Sequence, residues 1–340
     1  MNSKMNNVSH LTFMMYMEAD ANRLQAVGRY GAAKNLRCAA SRLQAYLMTI
    51  GKKDISFRKL TPTFITGFED WLRRQGVRRN TSSSYMRSLH TAFNHAVREG
   101  VATAHTVAGR ALTCENPFLN VYCGVDKTAK RAVGKTCIRN IQQLNILAAL
   151  TDLYTRQGMR TYGKYYHNTL SQLELTRDLF IFSFCMRGMA FVDMAFLRKS
   201  DICDGHVRYA RRKTRQHITV RIEPMMQDII ERWQTAGPYL FPLLTEEHDE
   251  SIAYQQYQNK LTLYNRHLKI LGQILGGIRL TSYISRHSWA STAHAENVPM
   301  SIISQSMGHD SERTTRIYLQ ELDTTVLDRT NSQLLSTVFQ

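Results

Sequence analysis

Five side chains in the second half of the chain are of types that can handle a phosphate group. Arg187 stands in FCMRGMAFVDMAFL, Lys213 in RRKTRQ, Arg286 in TSYISRHSWAS, His309 in SMGHDS and Tyr318 in TTRIYLQEL. Arg286 and His309 are 23 residues apart, and Tyr318 follows His309 by nine. A guanidinium fork can hold two phosphate oxygens at once through charge-assisted hydrogen bonds. A lysine ammonium can give up a proton, whereas arginine hardly deprotonates. A phenol is an oxygen nucleophile, but with a pKa of about 10 it needs activation at neutral pH. Taken singly, each has an ordinary explanation. A lone arginine is usually a surface charge, a lone histidine a satisfied core or surface group, and Tyr318 could be the core face of an amphipathic helix.

The elements that would carry these residues follow from apolar spacing. Residues 11–26 and 30–49 repeat apolar positions three and four apart, with Leu36, Ala40, Leu43 and Leu47 on one stripe, which predicts two helices. Thr61-Pro62 opens a third, continuing through Phe64, Phe68 and Leu72. A fourth runs from about Thr81 to Arg98, with Tyr85, Leu89, Phe93 and Ala96 on one face. Four such helices with short joints predict a small bundle. Beyond a weakly patterned stretch from about Val101 to Gly134, helices are predicted over 138–154, 168–186, 189–198 and 224–235. Two alternating segments, His206–Ala210 and His217–Ile222, flank the basic turn Arg211–Gln216 and predict a hairpin. Further helices are predicted over 252–275, 282–296, 300–307, 311–319 and 321–330. The fold class is therefore mainly α with a small β-hairpin or sheet. The expected organisation is a helical domain over 1–113, a linker over 114–135 and a mixed α/β domain over 136–340.

Charge separates the two halves. The chain has 340 residues and a net charge of +17, from 44 Lys+Arg against 27 Asp+Glu. Residues 1–113 hold 17 basic and 6 acidic side chains, the remainder 27 and 21. A chain this basic usually meets a polyanion, nucleic acid most often, with an anionic membrane surface as the competing partner. Lys52, Lys53, Arg73, Arg74, Arg78 and Arg79 fall at helix ends and in turns, where they could reach phosphates. Arg211, Arg212 and Arg215 are further candidates for contact with DNA. The bland reading of each is a solvated charged face. No run of 18 apolar residues occurs and the first ten lack the apolar core of a signal peptide, so a cytoplasmic protein without a membrane span is expected. The cysteines Cys38, Cys114, Cys123, Cys137, Cys185 and Cys203 form no CxxC pair and have no histidine at zinc-finger spacing, so they read as reduced thiols. No metal or cofactor is expected.

The ordered set Arg187, Lys213, Arg286, His309 and Tyr318 resembles the tyrosine recombinase, or phage integrase, family. That family carries an arginine, a hairpin lysine, an HxxR arginine, an LGH-type histidine and a tyrosine nine residues after it. The likeness spans the whole second domain, and the helical first domain resembles the family's SAM-like core-binding domain. Two departures stand out. Tyr283 occupies the position of the usual HxxR histidine, and neighbouring His287 does not. Asp193 follows Arg187 by six residues, where the family often has an acid after three. The chain starts almost directly with the core-binding helices, so a short form without an arm-binding domain is expected.

The resemblance implies a C-shaped clamp on double-stranded DNA and a homotetramer on two specific sites, in a bacterial cytoplasm and close to the nucleoid. It implies a Tyr318 nucleophile that becomes linked to a 3′ phosphate, with Arg187, Arg286 and His309 on the phosphate and Tyr283 as a further participant. Preorganised donors of this kind are typically worth ~10²–10³ in rate each. Lys213 would protonate the leaving 5′ oxygen, and Asp193 would orient Arg187. Integration, excision and inversion all remain open. So do two other classes: relaxation of DNA by a type IB topoisomerase, and a non-catalytic DNA-binding protein of the same fold.

Overall fold

The computed structural model describes residues 11–309, apart from 103–105, 108–109, 112–115, 127–131, 162 and 246–248. The chain divides into two compact units, residues 1–127 and 128–340. The helices predicted over 311–319 and 321–330 lie outside the described residues.

The first unit holds α1 (Phe13–Ala26), α2 (Tyr30–Thr49), α3 (Pro62–Arg74) and α4 (Arg79–Arg98). Their ends are set by local chemistry. The Thr61 hydroxyl accepts the Phe64 N–H at 3.2 Å, and Pro62 occupies the first helical position, where no N–H is needed. Gly76, at φ 72°, ends the turn after α3 in the left-handed region. The stripes predicted from spacing meet in one core of Phe13, Met17, Leu43, Leu47, Ile65, Phe68, Leu72, Met86 and Leu89, each fully buried. Burying one such side chain stabilises by roughly 1.5–3 kcal/mol.

Residues 116–126, expected within the linker, pack on this unit instead. Phe118 is buried and stacks on His90 with centroids 4.9 Å apart. Asn80 and Asp126 exchange hydrogen bonds of 2.9 and 2.7 Å. A short antiparallel pair, β1 (Thr106–Val107) with β2 (Arg110–Ala111), was not expected from the sequence.

The second unit is built round α7 (Lys164–Cys185). Against it pack α5 (Lys135–Gln142), α6 (Ile146–Arg156), α9 (Pro224–Arg232), α10 (Glu250–Ile274) and α11 (Ile284–Ala295). A five-residue α8 (Phe191–Ala195) and α12 (Met300–Ser306) complete the helices described here. A three-stranded antiparallel sheet runs in the order β3 (Ile202–Cys203), β4 (His206–Ala210), β5 (His217–Arg221). The hairpin β4–β5 pairs His206 with Arg221 and Ala210 with His217. Its alternation buries Val207, Tyr209, Ile218 and Val220 and exposes their neighbours.

Three expected helices differ in extent. The one over 138–154 is two, α5 and α6, because Asn145 turns the chain and accepts the Ala148 N–H at 3.1 Å as an N-cap. The one over 189–198 shrinks to α8, since Leu197 and Arg198 are drawn into extended contacts with Leu240 and Tyr239. The one over 224–235 ends at Arg232, and the Trp233 indole turns back to donate to buried Asp178 at 2.8 Å.

Candidate active site

Arg187 is delivered by the end of α7. After Met186 the chain takes two successive left-handed residues, Arg187 at φ 57° and Gly188 at φ 75°. The backbone N–H groups of Gly188 and Met189 both donate to the Ser183 carbonyl, at 2.9 and 3.1 Å. The Ser183 hydroxyl donates to the Met189 carbonyl and shares a 2.8 Å hydrogen bond with Ser285 on α11. A left-handed conformation at a non-glycine residue costs of order 1–3 kcal/mol and survives only where its surroundings impose it. Here the serine network imposes it.

Gly188 is where α11 crosses α7. A Cβ there would lie 2.6 Å from the Arg286 Cα. That close approach brings Arg286, 3% exposed, into the heart of the site. Its guanidinium donates to the Gly188 carbonyl at 2.8 Å and the Met307 carbonyl at 2.6 Å. One nitrogen, Nη2, also lies 2.9 Å from His309 Nε2.

His309 follows α12 through the left-handed Gly308, and its own N–H donates to the Ser304 carbonyl at 3.0 Å. Burial first, then the charges of Arg286, Arg211 and Lys213, push its pKa down to about 4. The ring is therefore neutral at pH 7, and its Nε2 accepts from the Arg286 guanidinium. That assigns the ring proton to Nδ1.

Lys213 sits exposed in the β4–β5 turn, close enough for its charge to act on His309. Arg286 touches His309, the Lys213 charge reaches His309, and the charges of Arg187 and Arg286 both act on buried Tyr209, so these four residues, distant in sequence, lie near one another. Tyr283 is the residue before α11, half exposed, with its ring 6.1 Å from that of His287. Tyr318 lies outside the described residues.

Two expectations need correction. Asp193 was expected to orient Arg187. Its carboxylate instead accepts the Arg212 backbone N–H at 2.8 Å and lies 3.8 Å from Arg211 Nε. Burial raises the Asp193 pKa, and these donors together with Arg286 oppose the shift. Arg211 was expected among the DNA contacts. It is buried and donates to the Gly308 carbonyl, so it faces the interior. Sequence reasoning missed this because Arg211 looks like one more cation in a basic turn. The available signal was strand parity, which continues the inward face of Val207 and Tyr209.

The remaining cations differ in freedom. Arg212 holds Glu250 at 2.8 Å and lies over the Phe196 ring at 3.9 Å. Arg215 is exposed and left-handed, at φ 61°. In the first unit Lys52, Lys53, Arg73, Arg74, Arg78 and Arg79 are all exposed. The four arginines share the α3–α4 turn, while the lysines occupy the separate turn after α2. Arg73 pairs with Asp70 at 2.9 Å, and Arg79 stacks 3.9 Å over Tyr122. Among the described residues no group of three or more His, Cys, Asp or Glu could hold a metal ion, and no helix is long and apolar enough to cross a membrane.

Two family models match the chain: the phage integrase SAM-like domain over residues 12–111 and the phage integrase family over 166–325. Among solved structures, the chain is similar to a lambda integrase dimer bound to a COC′ core site. The TM-score is 0.55 at 14% identity, covering 92% of this chain and 98% of that one. It is similar to a Tn1549 transposon integrase in complex with transposon right end DNA, with TM-score 0.56 and 11% identity, covering 95% and 99%. A lambda integrase tetramer bound to a Holliday junction matches with TM-score 0.53 and 14% identity, covering 93% and 80%. At these identities the likeness is one of fold. A comparison with curated protein sequences finds no match.

Proposed function

Since the chain belongs to the phage integrase family, the tyrosine recombinases, we propose that it cuts and rejoins double-stranded DNA at specific sites through a covalent 3′-phosphotyrosyl link. The observation that carries this reading is the convergence of Arg187, Arg286, His309 and Lys213 in one place, in the family's order. Two guanidinium groups and a neutral imidazole make a site for one anionic, developing phosphorane.

In this reading the Tyr318 oxygen releases its phenolic proton to solvent and attacks the scissile phosphorus, forming the P–O(Tyr) bond as the P–O5′ bond breaks. Arg187 and Arg286 hold the non-bridging oxygens. Lys213 gives its proton to the departing 5′ oxygen. The phosphotyrosine keeps the bond energy, so a 5′ hydroxyl of the same or another strand can reverse the step without ATP. Tyr283, at the entrance to α11, contacts the phosphate where relatives carry histidine, and Tyr283→His should keep activity.

The helical unit, residues 1–127, supplies grip on the duplex through Arg74, Arg78 and their neighbours, and the second unit does the chemistry. The DNA-bound integrases and the Holliday-junction tetramer among the similar structures support DNA as partner and four protomers on two sites.

A suicide DNA substrate, nicked so that the 5′ product diffuses away, tests the reading. The wild-type protein should accumulate a covalent adduct and Tyr318→Phe none. An undiminished adduct from Tyr318→Phe would falsify the nucleophile. A plasmid with two cognate sites separates the classes: recombinants support a recombinase, and relaxation without recombinants supports a topoisomerase.

A further inference from the structure

Arg211 is a cation buried two residues before Lys213, with 7% of its surface exposed. It continues the inward-facing side of β4, past Val207 and Tyr209. Its backbone N–H donates to the Gln216 carbonyl at 2.9 Å, and its carbonyl accepts the Arg215 N–H at 2.8 Å, which closes the Lys213 turn. Its guanidinium reaches two other elements. Nη1 donates to the Gly308 carbonyl, the residue before His309, and Nε lies 3.8 Å from Asp193 on α8. The fit is tight: a Cβ on Gly308 would lie 2.8 Å from the Arg211 Cδ and 2.9 Å from Ile218. Asp193 also accepts the Arg212 backbone N–H, so it fixes the hairpin at the next residue as well.

We propose that Arg211 is a positioning residue: it locks the Lys213 turn to the His309 loop, so that the proton donor and the phosphate-binding imidazole are set relative to each other. This rests on the recombinase reading above. A lysine would keep the charge but could not bridge Gly308 and Asp193, because only the planar guanidinium fork presents donors in both directions. A buried carboxylate left without its cation is costly, so removing the fork should also loosen α8 against the hairpin.

The test uses the full-length chain with Arg211→Met and Arg211→Lys. Three quantities are measured: the first-order rate of adduct formation at saturating protein, the Kd for the same duplex, and the titration of the His309 ring by NMR without DNA. The proposal expects the adduct rate to fall at least about tenfold in both variants, with Kd changed less than about threefold. It also expects the His309 midpoint to move up in Arg211→Met, where a nearby cation is lost, and less in Arg211→Lys. A folded variant that cleaves at the wild-type rate overturns it. So does a loss confined to Kd, which would make Arg211 a phosphate contact, or failure of both variants to melt cooperatively, which would make it purely structural. If wild type itself forms no adduct, the recombinase reading fails, while the His309 titration still reports on the lock.

Discussion

The Arg286 guanidinium lies 2.9 Å from His309 Nε2 while its other contacts hold the carbonyls of Gly188 and Met307. One side chain thus fastens α11 to the end of α7 and to the loop after α12, and orients a second candidate group. Arg286→Lys keeps the charge and loses this geometry. Its adduct rate should drop ~10²–10³, the usual cost of one preorganised donor. A loss under threefold would remove Arg286 from the phosphate site.

Gly188→Ala should be among the most damaging small substitutions. The added methyl would meet the Arg286 Cα at 2.6 Å from a backbone at φ 75°. Overpacking and a left-handed non-glycine residue each cost about 1–3 kcal/mol. Urea denaturation should show a loss of at least about 2 kcal/mol, and adduct formation should fall with it.

The depressed His309 pKa predicts a pH dependence of stability. The ring titrates at about 4 in the folded protein, against 6.5 ordinarily. Between those values the unfolded chain binds a proton that the folded chain refuses, so stability is full above pH about 6.5 and declines as pH falls toward 4. Burial lowers His90 and His267 as well, and they act in the same direction. His309→Asn isolates the local share: its melting temperature should fall less than that of wild type between pH 7 and pH 5. Parallel profiles would show that His309 is not desolvated.

Lys213→Ala should slow cleavage and be rescued on a duplex with a sulfur at the bridging 5′ position, because a thiolate leaves without a proton. Exposed Lys213 makes the folding cost small. Equal slowing on both substrates would place Lys213 outside proton transfer.

The exposed arginines of the α3–α4 turn should behave as phosphate contacts. Arg74→Ala and Arg78→Ala should weaken binding to any duplex and lower the salt slope by about one each. Arg212, already held by Glu250 and Phe196, should change the slope less. Titrations at several salt concentrations distinguish these outcomes.

Much of this architecture was legible because apolar spacing and strand alternation are local. The stripe of Leu36, Leu43 and Leu47 predicts α2, and the alternation round Val207 and Val220 predicts the hairpin. The order of Arg187, Lys213, Arg286 and His309 made the site legible before any distance was known. What the pattern did not reveal depends on single caps and on particular pairing partners. The break at Asn145 is a single cap within an apolar run. Strand β3 is two residues long and exists only because β4 pairs with it. Asp193 could be matched to Arg187 by proximity along the chain, but its partners Arg211 and Arg212 come from the turn after β4.

The two left-handed residues at the end of α7 have a consequence for chirality. A D-amino acid favours the backbone angles that Arg187 and Gly188 adopt, since L-residues pay roughly 1–2 kcal/mol for them. In a semisynthetic protein, D-Ala at 188 would therefore relieve the backbone while moving the methyl away from the direction in which an L side chain strikes Arg286. D-Arg at 187 would keep the turn and aim the guanidinium elsewhere. The pair would separate, at one bend, the handedness that shapes the chain from the charge that Arg187 carries.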